Sequence, residues 1–235
     1  MQRYFAVEKK ENKFILKDDD YYHIKVVMRL KPTEKVEVVY LKKVYLCYID
    51  DNYEVELIKE IEVKELNIES TLILPLLKEQ KMDLILQKST ELGVSKIMFF
   101  NAKRSIIKFD VITKKIERWT KICKEAAEQS KRNQIPHLYR VIDFNGLHDI
   151  EADVKMVAYE EEAGPTTSFN KIVESIKPEQ SIAVLIGPEG GFSDHEILLA
   201  TKQGFRKVSL GRRILRAETA SFYALSVIAN FLEKK

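Results

Sequence analysis

The first seventy residues alternate apolar and polar positions over short runs that polar breaks separate. Residues 54–59 come close to a period of two, which is typical of a strand with one buried face. The pattern predicts four strands, at 3–7, 35–41, 44–49 and 53–61, and one short helix at 18–28. Short strands of this kind favour a small β-barrel over residues 1–70.

From residue 71 onward, short apolar runs alternate with segments of helical period. Buried strands are predicted at 71–74, 96–100, 154–159, 182–186 and 207–210. Two apolar helical stripes lie between them, one ending before Gly93 and one before Pro136. Their members are Met82, Ile85, Leu86 and Ser89 in the first, and Ile116, Trp119, Cys123, Ala126 and Ser130 in the second. The alternation predicts an α/β domain with a parallel sheet covered by helices.

Two later helices carry local signals of their own. Ser193 and Glu196 have the spacing of a capping box, and an apolar helix follows them. The last helix, predicted at 219–232, has almost no polar face. A helix that is apolar all round must be buried on most sides, so we expect it at the centre of the domain, at a subunit interface, or at both.

Composition narrows the class of protein. A chain of 235 residues with 45% hydrophobic residues can bury a core, and no apolar run suggests a membrane span or a signal peptide, so we expect a cytoplasmic protein. Cys47 and Cys123 form no CxxC pair, and the four histidines are scattered. We therefore predict no metal site.

The positive charge is concentrated in the middle of the chain. Residues 71–145 hold 15 Lys and Arg against 8 Asp and Glu, an excess of +7, whereas the segments on either side each carry −2. Such an excess suggests a surface that faces a polyanion. A set of solvated helix faces would give the same count, and charge alone slightly favours that alternative.

Two irregular segments stand where a strand should turn into a helix. The first reads Gly-Pro-Glu-Gly-Gly-Phe at 187–192, and its glycines permit a positive φ or a close approach of a ligand to the backbone. It matches neither the Walker A loop nor the G-x-G-x-x-G fingerprint. A tight β-α connection is the alternative, which the proline and the acid between the glycines weaken.

The second segment, 210–220, places arginines and a glutamate after the last strand, where open α/β sheets bind their ligands. Arg216 and Glu218 fit three roles about equally: a structural ion pair, a helix N-terminal acid with its neighbour, or catalytic groups.

Together the two segments resemble the signature of the SPOUT methyltransferases and, more narrowly, the family of ribosomal RNA small-subunit uridine N3-methyltransferases. The resemblance extends upstream through Gln-Lys-Ser-Thr-Glu-Leu-Gly-Val at 87–94, Arg104-Ser105, Arg118-Trp119 and 125–136. At the N-terminus, Arg-Tyr-Phe at 3–5 and residues 23–29 resemble the PUA-like domain of that family. Nearly the whole chain is covered.

The resemblance implies a PUA-like β-barrel over 1–70 and a SPOUT domain over 71–235 whose C-terminal segments form a trefoil knot. It implies a homodimer through the C-terminal domain, with small-subunit ribosomal RNA or the assembled small subunit as partner. S-adenosylmethionine would bind in the knot, with no metal. The residues expected to contact this cofactor are Tyr159, Ile186, Gly187, Pro188, Glu189, Gly190, Leu210, Gly211, Ile214 and Leu215.

Transfer to uracil N3 requires that the N3 proton leave, because the neutral imide is a poor nucleophile. Arg216 is the candidate that stabilises the anionic uracil; Glu218 and Glu189 are weaker candidates for the base. The residues expected to hold RNA are Arg3, His23, Arg29, Lys88, Lys103, Arg104, Lys108, Arg118 and Arg132. Two alternatives stay open: a SPOUT enzyme with another target, such as a ribose 2′-hydroxyl, and an inactive RNA-binding protein.

Overall fold

The computed structural model describes residues 1–63, 69–101, 110–139, 144–159, 168–177 and 179–232. The chain forms two compact units. The first unit consists of Met1–Glu65 together with Lys124–Ile135, and the second consists of Leu66–Cys123 with Pro136–Lys235. Each unit is built around a sheet of its own, and the two sheets differ in kind.

The first unit contains a six-stranded sheet. Its strands are β1 (Arg3–Phe5), β2 (Glu8–Lys10), β3 (Lys13–Ile15), β4 (Lys35–Tyr40), β5 (Lys43–Ile49) and β6 (Val55–Ile61). They lie in the order β1-β4-β5-β6-β3-β2. The chain after β1 also bonds across the sheet, because Ala6 N donates to Val39 O and Val7 N to Ile15 O. The sheet is therefore curled, as the predicted small barrel requires.

Most strands of the first unit contribute buried residues to its core. Tyr4, Phe14, Val36, Val38 and Cys47 are among the residues of a single apolar core. Helix α1 (Asp18–Tyr22) continues as a π-helical turn, His23–Val27, which adds Ile24 to this core. The helix predicted at 18–28 is thus present, with its second half wound more loosely than an α-helix.

A group of charged side chains is buried beside this core. Lys124 donates to Asp20 Oδ1, and its Nζ lies 2.7 Å from Glu128 Oε1. Burial raises the pKa of Glu128 to about 7, against the attraction of Lys124. The carboxylates raise the pKa of Lys124 in spite of its own burial, so the lysine keeps its charge.

The second unit contains a parallel sheet of six strands. They are β7 (Ser70–Pro75), β8 (Lys96–Phe100), β9 (His137–Leu138), β10 (Val154–Ala158), β11 (Ile182–Leu185) and β12 (Arg206–Val208). Their order is β12-β10-β11-β7-β8-β9, and every neighbouring pair is parallel. This arrangement confirms the predicted α/β architecture.

Helices connect the strands of the second unit. They are α2 (Glu79–Glu91), α3 (Asp110–Gln129), α4 (Phe169–Glu174), α5 (Asp194–Lys202) and α6 (Ala217–Leu232), with a short 3₁₀ turn at Asn145–Asp149. Helix α3 begins in the second unit and ends in the first. The capping box is confirmed, because Ser193 Oγ accepts from Glu196 N while the Glu196 carboxylate accepts from Ser193 N.

The last helix is buried along much of its length. Ala220, Ser221, Ala224, Leu225 and Ile228 are inaccessible, and α6 packs against α2 and α4. Among the helices of the described part of the chain, none combines the length and the apolar character needed to cross a membrane.

Candidate cofactor and catalytic site

A cavity of about 550 Å³ lies at the carboxyl edge of the parallel sheet. Tyr159, Ile186 and Leu210 follow the neighbouring strands β10, β11 and β12, and all three line it. The edge beyond the carboxyl ends of parallel strands is where open α/β sheets bind their ligands. The cavity therefore unites the two irregular segments that the sequence separates by some twenty residues.

The first wall is the loop after β11. Ile186 N donates to Ile73 O and thereby prolongs the pairing of β11 with β7. Gly187 follows, and a Cβ at this position would lie 2.9 Å from Cε2 of Phe192. Phe192 cannot easily yield, because its ring packs against Phe100 and Phe144 in the core. Glycine at 187 is thus required by the close approach of this aromatic ring.

The same loop turns sharply over residues 188–191. Gly191 has a φ of +66°, which favours glycine, and its N–H donates to Pro188 O at 2.9 Å. Pro188, Glu189 and Gly191 line the cavity, whereas Gly190 is exposed on the same turn and does not. The proposed contact of Gly190 with a cofactor stays a prediction.

The second wall is the loop between β12 and α6. The strand ends at Val208, two residues before the predicted end, because Ser209 Oγ accepts from Gly211 N and turns the chain. Gly211 has a φ of +126°, a region that few other residues adopt. Ile214 and Leu215 also line the cavity, and Ile214 is 84% exposed. An apolar side chain this exposed beside a cavity is available to cover a ligand.

An ionic cluster that includes an unpredicted residue lies at this site. Lys81 on α2 donates to Glu189 and lies 3.6 Å from Glu218 Oε1. Lys81 and Glu189 line the cavity. The hydrogen bond from Lys81 holds the pKa of Glu189 below its usual range, and the charge of Arg216 adds to this effect.

Sequence reasoning missed Lys81, although a signal exists. Lys81 precedes Ile85 by four residues and therefore shares a helix face with the apolar stripe of α2. A lysine at the edge of a buried stripe is a stronger candidate for a site residue than a lysine on the opposite, solvated face. Its partners lie more than a hundred residues away, so spacing along the chain could not reveal them.

The two candidate catalytic residues occupy different environments. Arg216 is exposed, lines the cavity and accepts from Ala220 N through its carbonyl at the start of α6. Glu218 is only 14% exposed and does not line the cavity. Its Oε1 lies 3.6 Å from Lys81 Nζ, and no donor within the described residues reaches its buried Oε2. Arg216 is thus placed to contact a ligand in the cavity, whereas Glu218 is not among the residues that line it.

Two of the lysines and arginines expected to hold RNA are paired with acids in the second unit. Lys88 lies 2.9 Å from Glu91, and Arg118 binds Asp83 and Glu79. The hydrogen bond that Arg118 donates to Asp83 raises the pKa of Arg118, which is thus charged but already neutralised. Lys103, Arg104 and Lys108 lie outside the described residues, so their contribution stays a prediction.

The RNA candidates of the first unit differ in exposure. Arg3 is 3% exposed, pairs with Glu37 at 2.9 Å and donates to the carbonyl of Lys131. Arg132 is equally inaccessible, at 5%. His23 Nδ1 lies 3.0 Å from the Tyr4 hydroxyl, and Arg29 is exposed with a φ of +51°. Arg29 is thus the most accessible of the four.

Comparison with known proteins accords with this site. A family model described as the RNA methyltransferase domain matches residues 64–229, which include both cavity loops. The fold and the site therefore place the chain in the class of RNA methyltransferases.

Relatives along nearly the whole chain define the group more closely. A protein of Bacillus subtilis named ribosomal RNA small subunit methyltransferase E is 36% identical and aligns over 97% of this chain and 96% of its own. One of the same name from Mesomycoplasma hyopneumoniae is 36% identical over 96% and 98%. The chain belongs to the ribosomal RNA small subunit methyltransferase E family.

Solved structures share both units. A ribosomal RNA small subunit methyltransferase E from Neisseria gonorrhoeae, bound to S-adenosylmethionine, superposes with a TM-score of 0.85 at 29% identity, covering 98% of this chain and 97% of its own. A methyltransferase from Legionella pneumophila, in complex with the same cofactor, gives 0.84 at 28% identity with the same coverage. These similarities confirm the predicted fold class of a small curled sheet followed by a parallel-sheet domain.

Proposed function

We propose that this chain transfers a methyl group from S-adenosylmethionine to N3 of a uridine in small-subunit ribosomal RNA. The observation that carries the proposal is the cavity at the carboxyl edge of the sheet, which is built from both loops of the family resemblance. The names of the full-length relatives support small-subunit ribosomal RNA as the substrate. The choice of N3 rests on the resemblance to the uridine N3-methyltransferases.

The cavity fits S-adenosylmethionine in size and in chemistry. Its volume of about 550 Å³ lies within the range of small-molecule sites, roughly 300–1,000 Å³. Backbone groups of the two loops can meet an adenine and an amino acid, while apolar side chains cover the remainder. When bound, the cofactor supplies an electrophilic methyl group on a sulfonium. Tyr159, Ile186, Gly187, Pro188, Glu189, Leu210, Gly211, Ile214 and Leu215 would hold it, with Gly190 on the same turn.

The residues of the chain have to orient the uracil and remove its N3 proton. Arg216 lines the cavity, and its guanidinium would stabilise the negative charge that spreads over the uracil as N3 loses its proton. Glu189, which Lys81 keeps ionised, would accept that proton. Holding the base and the methyl group in line accounts for much of the remaining rate enhancement.

Identification of the product tests this proposal directly. The purified protein is incubated with S-adenosylmethionine labelled in the methyl group and with small subunits or their RNA, and the RNA is digested to nucleosides. We expect 3-methyluridine as the labelled nucleoside. A 2′-O-methylated nucleoside would replace the proposal by the ribose alternative, and failure to bind the cofactor would favour an RNA-binding protein without activity.

We further propose that the target uridine is presented unpaired, because N3 is engaged in base pairing within a duplex. The basic segment 71–145 would hold the phosphates around it. A cytoplasmic location follows from this substrate.

We also propose a homodimer that uses α6, and a trefoil knot around the cofactor loops. Phe222, Tyr223, Val227 and Ala229 keep part of their surface accessible on this apolar helix, which supports a subunit interface. The knot rests on the SPOUT resemblance.

A further inference from the structure

Lys81 is the residue of the site that the family resemblance does not explain. It is 28% exposed, lines the cavity and contacts carboxylates from two separate segments, Glu189 in the loop after β11 and Glu218 in the first turn of α6. Helices α2 and α6 pack against each other, and this packing supports the position of Lys81. One ammonium thus connects the loop after β11, which is a wall of the cavity, to the first turn of α6.

The lysine acts here as a fixed cation. Its hydrogen bond with Glu189 raises the pKa of Lys81, and the charge of Glu218 adds to this effect. A lysine held in the ammonium form cannot serve as a base. It can orient a carboxylate and favour its ionised form, which is the direction in which the pKa of Glu189 is displaced.

Most of the Glu218 side chain is shielded from solvent. Its Oε1 lies 3.6 Å from Lys81 Nζ, whereas Oε2 is buried and no described donor reaches it. A buried carboxylate oxygen without a donor destabilises a fold. The contact with Lys81 gives this glutamate a role that the packing of the helix alone does not.

We propose that Lys81 is a positioning residue for methyl transfer: anchored by the partly buried Glu218, it holds the carboxylate of Glu189 at the cavity as the acceptor of the uracil N3 proton. The inference rests on the proposed function. In the balanced step, the N3 proton passes to the Glu189 carboxylate and the N3 electron pair forms the new N–C bond. The electron pair of the broken S–C bond stays on sulfur, which becomes a neutral thioether.

The charged groups that face Glu189 come from two elements. Lys81 lies in the first turn of α2, Lys78 lies directly before this helix, and Arg216 directly precedes α6. Lys81 alone of these three makes the hydrogen bond that dominates the pKa of Glu189. Removal of its charge should therefore make Glu189 bind a proton at higher pH, while Arg216 still faces the ligand.

The test compares Lys81→Met, Lys81→Arg and Glu218→Gln with Lys202→Met, which removes an exposed lysine outside the site. Carboxyl NMR of the labelled protein, without cofactor or RNA, reports the pKa of Glu189 directly. We expect a rise in Lys81→Met, a smaller rise in Glu218→Gln, and values like the wild type in Lys81→Arg and Lys202→Met.

Rates at saturating cofactor and RNA form the second measurement. In Lys81→Met the acid limb of kcat should move to higher pH by about one unit, so that the rate on that limb falls about tenfold and the loss shrinks at pH 8. Lys81→Arg should restore the profile, and Glu189→Gln should remove the acid limb. A rate loss that is equal at every pH, or a change in KM alone, would assign Lys81 a purely structural role and overturn the proposal.

Failure of this inference and failure of the proposed function are separable. If the wild type forms 3-methyluridine but the Glu189 titration is the same in Lys81→Met, the positioning role is wrong and the function stands. If the wild type methylates another atom, the NMR titration still measures whether Lys81 controls Glu189.

Discussion

Replacement of Glu128 by glutamine should stabilise the first unit at neutral pH. Burial lifts the pKa of this carboxyl from 4.5 to about 7, so the folded state binds the proton more tightly than the unfolded state does. Stability is therefore fully present below pH 4.5 and is lost as the pH rises to 7. At 1.36 kcal/mol per pH unit, the ionised carboxylate costs at most about 3 kcal/mol above pH 7.

The neutral amide of the Glu128→Gln variant would resemble the protonated acid. The variant would therefore lack the free-energy cost of burying an ionised carboxylate. Chemical unfolding of the wild type and of the variant is followed by circular dichroism at several pH values from 4.5 to 8. We expect equal stability at pH 4.5 and a gain of about 1–3 kcal/mol for the variant at pH 8. Glu117→Gln removes an exposed carboxylate on the same helix and should show no such trend.

The opposite result at pH 8 would refute this reasoning. If Glu128→Gln were less stable than the wild type there, the attraction between Lys124 and Glu128 would exceed the cost of burying the carboxylate. The difference between variant and wild type is the informative quantity, because all other titrating groups are common to both proteins.

The remaining predictions concern the cofactor loop, the RNA surface and the last helix. Gly187→Val should lower the affinity for S-adenosylmethionine about tenfold or more in calorimetry, because its side chain would collide with Phe192; unchanged affinity would remove this loop from the site. Arg104→Ala with Lys108→Ala should weaken RNA binding and flatten its salt dependence by about one unit of slope per lost contact. An unaltered slope would move the RNA site to the N-terminal unit. If the chain forms the proposed homodimer, light scattering should give twice 27.4 kDa for the wild type and a monomer for Phe222→Glu; a fully active wild-type monomer would contradict this.

The parallel sheet could be predicted because short stretches of sequence identify its strands and the helices between them. Strand β7 is buried along its whole length and is apolar from Leu72 to its end, and Ser193 caps its helix through a contact only three residues away. The hairpin of β2 and β3 was missed, because Glu8, Lys9 and Lys10 look like a loop in sequence. β2 is a strand because it pairs with β3, and β3 in turn pairs with β6, a pairing of which the chain before residue 55 carries no sign.

The cavity loops could be predicted in part for a similar reason. A glycine after a strand signals an unusual backbone, and Gly187, Gly191 and Gly211 all lie where the chain turns or is approached closely. The ionic cluster could not be predicted, since it joins Lys81 to acids 108 and 137 positions away. The residue pattern identified Glu218 as an acid at a helix start but could not show that one oxygen of its carboxylate is buried.

The first unit is assembled from two stretches of chain that are far apart in sequence. Asp20 can pair with Lys124 only when the segment Lys124–Ile135 is present. During synthesis, the charged cluster of this unit can therefore form only after more than half of the polypeptide has been made. A fragment that stops before Lys124 would retain every strand of the sheet and still leave Asp20 without this counter-ion, so this unit is discontinuous in the gene although it is compact in space.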